Sequence, residues 1–89
     1  MKITTNSGIK LEIDERILDD MRFARLFSKL KKEKSADTSF ELIDFIFGGS
    51  DNAEVFLNEV ANRNDGICSE KALAAEITDI LQALNTKKS

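Results

Sequence analysis

The segment FELIDFIFGG, residues 40–49, constrains how the rest of the chain must fold. Six of its first eight residues are large and apolar, and it holds three of the six phenylalanines in the chain. On a helical wheel, Glu41 and Asp44 leave only a narrow polar strip, so the helix is apolar nearly all round. Gly48 and Gly49 follow, and glycine suits the left-handed conformation that ends many helices. The segment therefore predicts a helix over 39–47 with several buried sides.

Two interpretations of this helix remain open. It is either the central helix of a bundle, or it has one core face while the other face binds a client or a neighbouring copy, because exposed apolar patches tend to mark interaction sites. The candidate partner contacts are large apolar residues of this helix and one phenylalanine of the next: Phe40, Leu42, Phe45, Ile46, Phe47 and Phe56.

The segment before residue 14 predicts a β-hairpin over residues 2–13. Ile9, Leu11 and Ile13 alternate with charged residues, a pattern typical of a half-buried strand. Residues 6–8, Asn-Ser-Gly, supply turn residues that tolerate positive φ. An isolated hairpin is marginal in water, so this one must pack on the helices.

Three more helices flank the central one. We predict them over 15–33, 52–62 and 70–85, with Asp14 and Ser69 as N-caps of the first and last. A capping box over residues 38–41 opens the helix at 39. Residues 86–89 form a flexible polar tail, and residues 1–85 form one domain. The predicted fold class is α+β, mostly α, with an N-terminal β-hairpin packed on about four helices.

Composition restricts the class of protein. No apolar run approaches the roughly 18 residues that span a bilayer, so we expect no membrane association. The N-terminus lacks the apolar core of a signal peptide. The single cysteine, Cys68, cannot form an internal disulfide, and we interpret it as a small buried residue. These features indicate a cytoplasmic protein.

Charge is distributed unevenly along the sequence. Residues 1–34 carry nine basic and six acidic side chains, whereas residues 35–89 carry four basic and ten acidic ones. One interpretation is a solvated basic helix end beside acidic helices. The other is a homo-oligomer in which copies associate through unlike faces, a type of contact that extends into open arrays.

The sequence offers little for catalysis. Histidine is absent, which removes the usual proton shuttle near neutral pH and the usual activator of a cysteine nucleophile. Asp19 and Asp20 are adjacent, but neighbouring helical residues project about 100° apart and cannot share a proton. No cysteine–histidine cluster, calcium loop or phosphate-binding glycine pattern occurs. We predict no enzyme, no cofactor and no metal site.

A helix-turn-helix drawn over residues 52–84 gives an unfavourable surface for nucleic acid. Its second helix presents Lys71 and Gln82 against Glu70, Glu76 and Asp79, and this acidic surface repels phosphate. With catalysis and nucleic-acid binding both disfavoured, protein binding is the function class that remains. The runner-up is a small phage or plasmid regulator that binds or mimics DNA, and a third alternative is a subunit of a larger assembly.

The order of motifs resembles one known family, the tail assembly chaperones of long-tailed, siphovirus-type bacteriophages. Residues 7–14 and 15–21, SGIKLEID and ERILDDM, are similar to its opening hairpin and helix with an LDD signature. Residues 40–49 correspond to its second helix and glycine turn. Residues 65–70 and 77–81, DGICSE and ITDIL, resemble its DG-x-x-S turn and last helix, and the TKKS ending at 86–89 resembles a common K-N-S ending.

This resemblance implies a non-catalytic function. Members bind the tape measure protein, a long helical protein with much exposed apolar surface, and keep it soluble until tail tube protein polymerises around it. The resemblance implies the tape measure protein as partner, with the tail tube protein as a second candidate. It also implies action in the cytoplasm of the bacterial host and absence from the mature virion.

Overall fold

The computed structural model describes the backbone of residues 1–33 and 35–88 and the side chains of residues 1–33 and 35–85. A two-stranded antiparallel hairpin is followed by four helices, so the fold class is α+β, mostly α, as the sequence predicts. The elements are strands β1 (Lys2–Thr4) and β2 (Lys10–Glu12), a 3-10 helix (Glu15–Asp19), and helices α1 (Met21–Lys32), α2 (Ala36–Phe47), α3 (Ser50–Asn62) and α4 (Glu70–Lys88).

The hairpin packs on the helices through its isoleucines. Ile3 lies opposite Leu11 in the β1–β2 register. Ile3, Ile9 and Ile13 are all buried, so the alternation in the sequence does mark the core face of the hairpin.

The prediction of one helix over 15–33 is wrong at Asp20. This residue is extended, with φ −89° and ψ 121°, and separates the 3-10 helix from α1. Asp14 and Asp20 make the same local structure, because each carboxylate accepts from the backbone N–H of the arginine two residues later and pairs with its guanidinium. Such caps compete with a continuous helix, so Asp20 ends one helical segment and caps the next.

Helix α2 begins earlier than the capping box at 38–41 predicts. The Ser35 hydroxyl accepts from the Thr38 N–H at 3.2 Å and lies 2.9 Å from Thr38 Oγ1. Ser35 is therefore the N-cap, and Thr38 is a buried residue of the first turns. At the other end Gly48 is left-handed with φ 77°, and the Gly49 N–H donates to the Asp44 carbonyl at 2.9 Å, which confirms the predicted glycine cap.

Helices α3 and α4 are longer than predicted. Helix α3 begins at Ser50, and the Ser69 hydroxyl caps α4 by accepting from the Ala72 N–H at 3.1 Å. Helix α4 continues through Lys88, so residues 86–88 are not a separate tail. Lys34 of the predicted linker and Ser89 lie outside the described residues.

The core lies between the hairpin and the four helices. Its fully buried large side chains include Ile13 after β2, Leu42 and Ile43 on α2, and Ile80 and Leu84 on α4. Leu42 and Ile43 on α2 are both completely buried, so α2 is covered on adjacent sides, as expected for a helix that is apolar nearly all round.

Candidate functional site

An apolar groove runs between α2 and α4, and we call it the α2–α4 groove. Its α4 wall is a helical stripe at 70, 73, 74, 77, 78 and 81, and its α2 wall is a stripe at 36, 39 and 40. Residues three and four apart lie on one face of a helix, so each stripe is a continuous surface. Leu30, Leu57 and Cys68 complete the lining, together with Ser35 and Ser69. The groove has a volume of about 500 Å³.

The groove is mainly apolar and open to solvent. Phe40 stands in its α2 wall with 42% of its surface exposed, an unusual degree of exposure for a phenylalanine in this fold. Leu73 and Ile77 in the opposite wall are mostly buried by the core, whereas Ala74 is small and exposed. Glu70 is the only Asp, Glu, Lys or Arg among the lining residues. The groove can therefore take apolar side chains with little competing charge.

Cys68 opens into this groove from the turn before α4 and is half-buried. Burial raises the pKa of its thiol, because a thiolate is poorly solvated there. The side chain thus remains a protonated thiol near neutral pH, and it is half-buried rather than buried as predicted.

The predicted partner contacts do not form one surface. Leu42, Ile46 and Phe56 are buried in the core, with 6% or less of their surface exposed. Phe40 alone among the six lines the α2–α4 groove.

The two remaining predicted contacts pack elsewhere. Phe45 is half-buried, with its ring centroid 6.5 Å from that of Phe23 and the Arg22 guanidinium 5.3 Å above it. Phe47 stacks on Phe56 with ring centroids 4.8 Å apart, at the far end of α2. Phe45 and Phe47 are therefore each partly covered by another aromatic ring of the same chain.

The α4 wall was missing from the sequence-based list. Ala74 and Thr78 lie beside the core stripe of α4, and on sequence they are an ordinary small and polar pair. Ala74 and Thr78 line a groove only because α2 packs beside α4, and no pattern of neighbouring residues predicts that packing.

Four acidic side chains make structural contacts within the chain. Glu76 and Asp79 hold the hairpin turn through hydrogen bonds with Thr5, Asn6 and Ser7. Hydrogen bonds from the neighbouring Arg16 lower the pKa of Asp14 to about 2, and those from Arg22 lower the pKa of Asp20. Among residues 1–33 and 35–88, no three His, Cys, Asp or Glu side chains cluster as metal ligands.

The basic end of α1 is partly occupied by contacts within the chain. Lys29 pairs with Glu41 at 3.5 Å, and the Lys31 ammonium lies 4.5 Å from the centroid of the Phe27 ring. On α4, Glu76 is buried and Asp79 binds the hairpin, so the two do not face outward together with Lys71.

The described residues form a small α+β domain in which a hairpin and four helices leave the α2–α4 groove open to solvent. No known protein family, curated protein or solved structure matches the chain. Within the described part of the chain, no helix is both long and apolar enough to cross a membrane.

Proposed function

We propose that this protein is a non-catalytic tail assembly chaperone of a long-tailed bacteriophage. In this proposal it binds the tape measure protein and keeps it soluble until the tail tube polymerises, with the tail tube protein as a second candidate partner. It acts in the cytoplasm of the bacterial host and is left out of the mature virion. The order of the motifs over most of the chain supports this proposal, because their family acts on a long helical client.

The observation that carries the proposal is the exposed apolar lining of the α2–α4 groove. An amphipathic helix that binds a groove inserts side chains spaced three and four residues apart. The two stripes of the groove have that same helical spacing, and Phe40 is the exposed aromatic residue of the α2 stripe. A tape measure helix bound along the groove would cover Phe40, and the apolar face of that helix would be removed from water. Covering this apolar face is what keeps such a client soluble.

Co-expression with a tape measure protein, the client that the proposal names, tests the proposal. We expect the wild-type chain to keep that client soluble and to co-purify with it. Phe40→Lys places a charge in the apolar groove and should weaken binding about tenfold or more. Met21→Lys is the matched control, because Met21 is 79% exposed and lies outside the groove.

Circular dichroism first establishes that both variants keep the wild-type fold. A client that stays insoluble beside the wild-type chain contradicts the chaperone proposal. If Phe40→Lys and Met21→Lys bind the client equally well, the α2–α4 groove is not the binding site.

A further inference from the structure

The outer edge of β2 carries backbone groups without a partner. The Ile9 carbonyl accepts from the Thr5 N–H at 2.9 Å, and the Ile13 N–H donates to the Met1 carbonyl at 2.8 Å. The backbone N–H and C=O groups of Ile9 and Ile13 therefore point toward β1. Successive residues of a strand point in opposite directions, so Lys10 and Glu12 direct their N–H and C=O groups away from β1. Within the described residues, these four groups make no hydrogen bond.

A second groove lies along this edge, and we call it the β2–α3 groove. One side is residues 8–12, and the other is a helical stripe of α3 at 52, 55, 56, 59 and 63, with Phe47 at the end. Its volume is about 500 Å³, and it shares no lining residue with the α2–α4 groove. Val55 on its α3 side is 63% exposed, and Leu11 is half-buried. The open edge of the strand is therefore next to uncovered apolar surface.

The sequence of β2 is Lys10-Leu11-Glu12, so two antiparallel copies of this strand have opposite charges facing each other at both ends. Antiparallel pairing of two copies about a two-fold axis at Leu11 places Lys10 of each copy opposite Glu12 of the other. Lys10 and Glu12 then form the hydrogen-bonded pairs and use the four vacant backbone groups of each strand. The two Leu11 side chains meet in the closer, non-hydrogen-bonded pair on the core side of the sheet.

We propose that this chain forms a symmetric dimer in which the β2 strands of two copies join the hairpins into one four-stranded sheet. The charges favour a second copy as the occupant. Lys10 makes no ion pair within the described part of the chain, and Glu12 remains 66% exposed beside the N-terminal ammonium of Met1. The same contact covers Leu11, which shares the β2–α3 groove with the exposed Val55.

This interface differs from association through unlike faces. A symmetric contact uses the same patch on both copies and closes at two, whereas contacts between unlike faces continue to add copies. The proposal does not depend on the chaperone function, because the α2–α4 groove stays open in the dimer.

Two single substitutions and their combination test the pairing. Lys10→Glu puts glutamate opposite Glu12 in both pairs, and Glu12→Lys puts lysine opposite Lys10. Each single variant should raise the dimer dissociation constant about tenfold or more, because like charges directly opposite destabilise a strand pair. The double variant K10E/E12K restores opposite charges and should dimerise like wild type. An equimolar mixture of the single variants should form a mixed dimer.

Sedimentation velocity over a wide concentration range measures these equilibria, and hydrogen exchange of the Lys10 and Glu12 amides reports the edge directly. We expect both amides to gain protection as the wild-type dimer forms, with circular dichroism unchanged in the variants. A wild-type chain that remains monomeric or grows beyond a dimer overturns the proposal. It is also overturned if both single variants dimerise like wild type, or if the amides gain protection only when the client protein is added.

Discussion

Glu76 is a carboxylate in the interior of a small domain, and replacing it measures how the hairpin is attached to α4. The side chain is only 6% exposed. Its Oε1 accepts from the Thr5 hydroxyl at 2.7 Å and from the Ser7 hydroxyl at 2.8 Å. One turn later, Asp79 accepts from the backbone and side-chain N–H groups of Asn6 at 2.9 and 3.1 Å. These contacts join residues about 70 positions apart.

The perturbation is Glu76→Met, which keeps most of the side-chain volume and removes the acceptor. A hydrogen bond to a charged group contributes about 1.5–3 kcal/mol. The bond from Thr5 is buried, whereas Ser7 is exposed and can turn to water, so the loss is dominated by Thr5. We expect the free energy of unfolding to fall by about 2 kcal/mol, which corresponds to roughly 8–16 °C in Tm for a domain of this size.

Thermal and urea unfolding followed by circular dichroism measure this loss. Thr5→Val removes the donor from the other side, and the double variant removes both members of the Thr5–Glu76 hydrogen bond. The Ile9 N–H loses its bond to Thr5 Oγ1 in both variants that carry Thr5→Val, so that loss cancels in the cycle. Because replacing both partners is less costly than the sum of the single losses, the double-mutant cycle should give a coupling energy of about 1–3 kcal/mol. Glu76→Gln keeps an acceptor oxygen and should lose about half as much as Glu76→Met.

Hydrogen exchange adds a local readout of the same contact. The Ile9 N–H donates to Thr5 Oγ1 at 3.2 Å, so this amide should exchange faster when Glu76 no longer holds Thr5. A coupling energy below about 0.5 kcal/mol refutes the reasoning, because contacts of that size are indistinguishable from independent sites. The contact between Glu76 and Thr5 would then add nothing measurable to the attachment of the hairpin, which would rest on its buried isoleucines and on the Asn6–Asp79 hydrogen bonds.

Three further predictions follow from local geometry. Alkylation of Cys68, the only cysteine, should be slow near neutral pH because the pKa of its thiol is raised, and it should be slower still when a client fills the α2–α4 groove. The rate of reaction with a thiol reagent measures both effects, with Cys68→Ser as the blank. Hydrogen bonds from the neighbouring Arg16 lower the pKa of Asp14 from 3.8 to about 2, so the contribution of Asp14 to stability is present above about pH 3.8 and is lost as the pH falls toward 2. The difference in free energy of unfolding between wild type and Asp14→Asn, measured in urea, should shrink over that range. Ser35→Ala should cost about 1 kcal/mol because Ser35 caps α2, whereas Ser39→Ala should change Tm little; equal effects would contradict the assignment of the cap.

The sequence by itself determined most of the local structure. Alternation predicted that Ile9 and Ile13 are buried, and Gly48 and Ser69 predicted two helix ends. These signals succeed because capping, positive φ and amphipathic spacing act between residues a few positions apart. Where two local signals competed, as at Asp20 and Ser35, the predicted helix boundaries were wrong.

The tertiary structure alone decided which apolar surface stays exposed. Leu42 and Phe40 are equally apolar on sequence, yet Leu42 is completely buried and Phe40 is 42% exposed. Glu76 looked like part of an acidic surface, yet it is buried because its partners Thr5 and Ser7 come from the other end of the chain. The exposure of a side chain depends on how the helices pack against one another. Those contacts join residues far apart in sequence, so a pattern of neighbouring residues does not predict them.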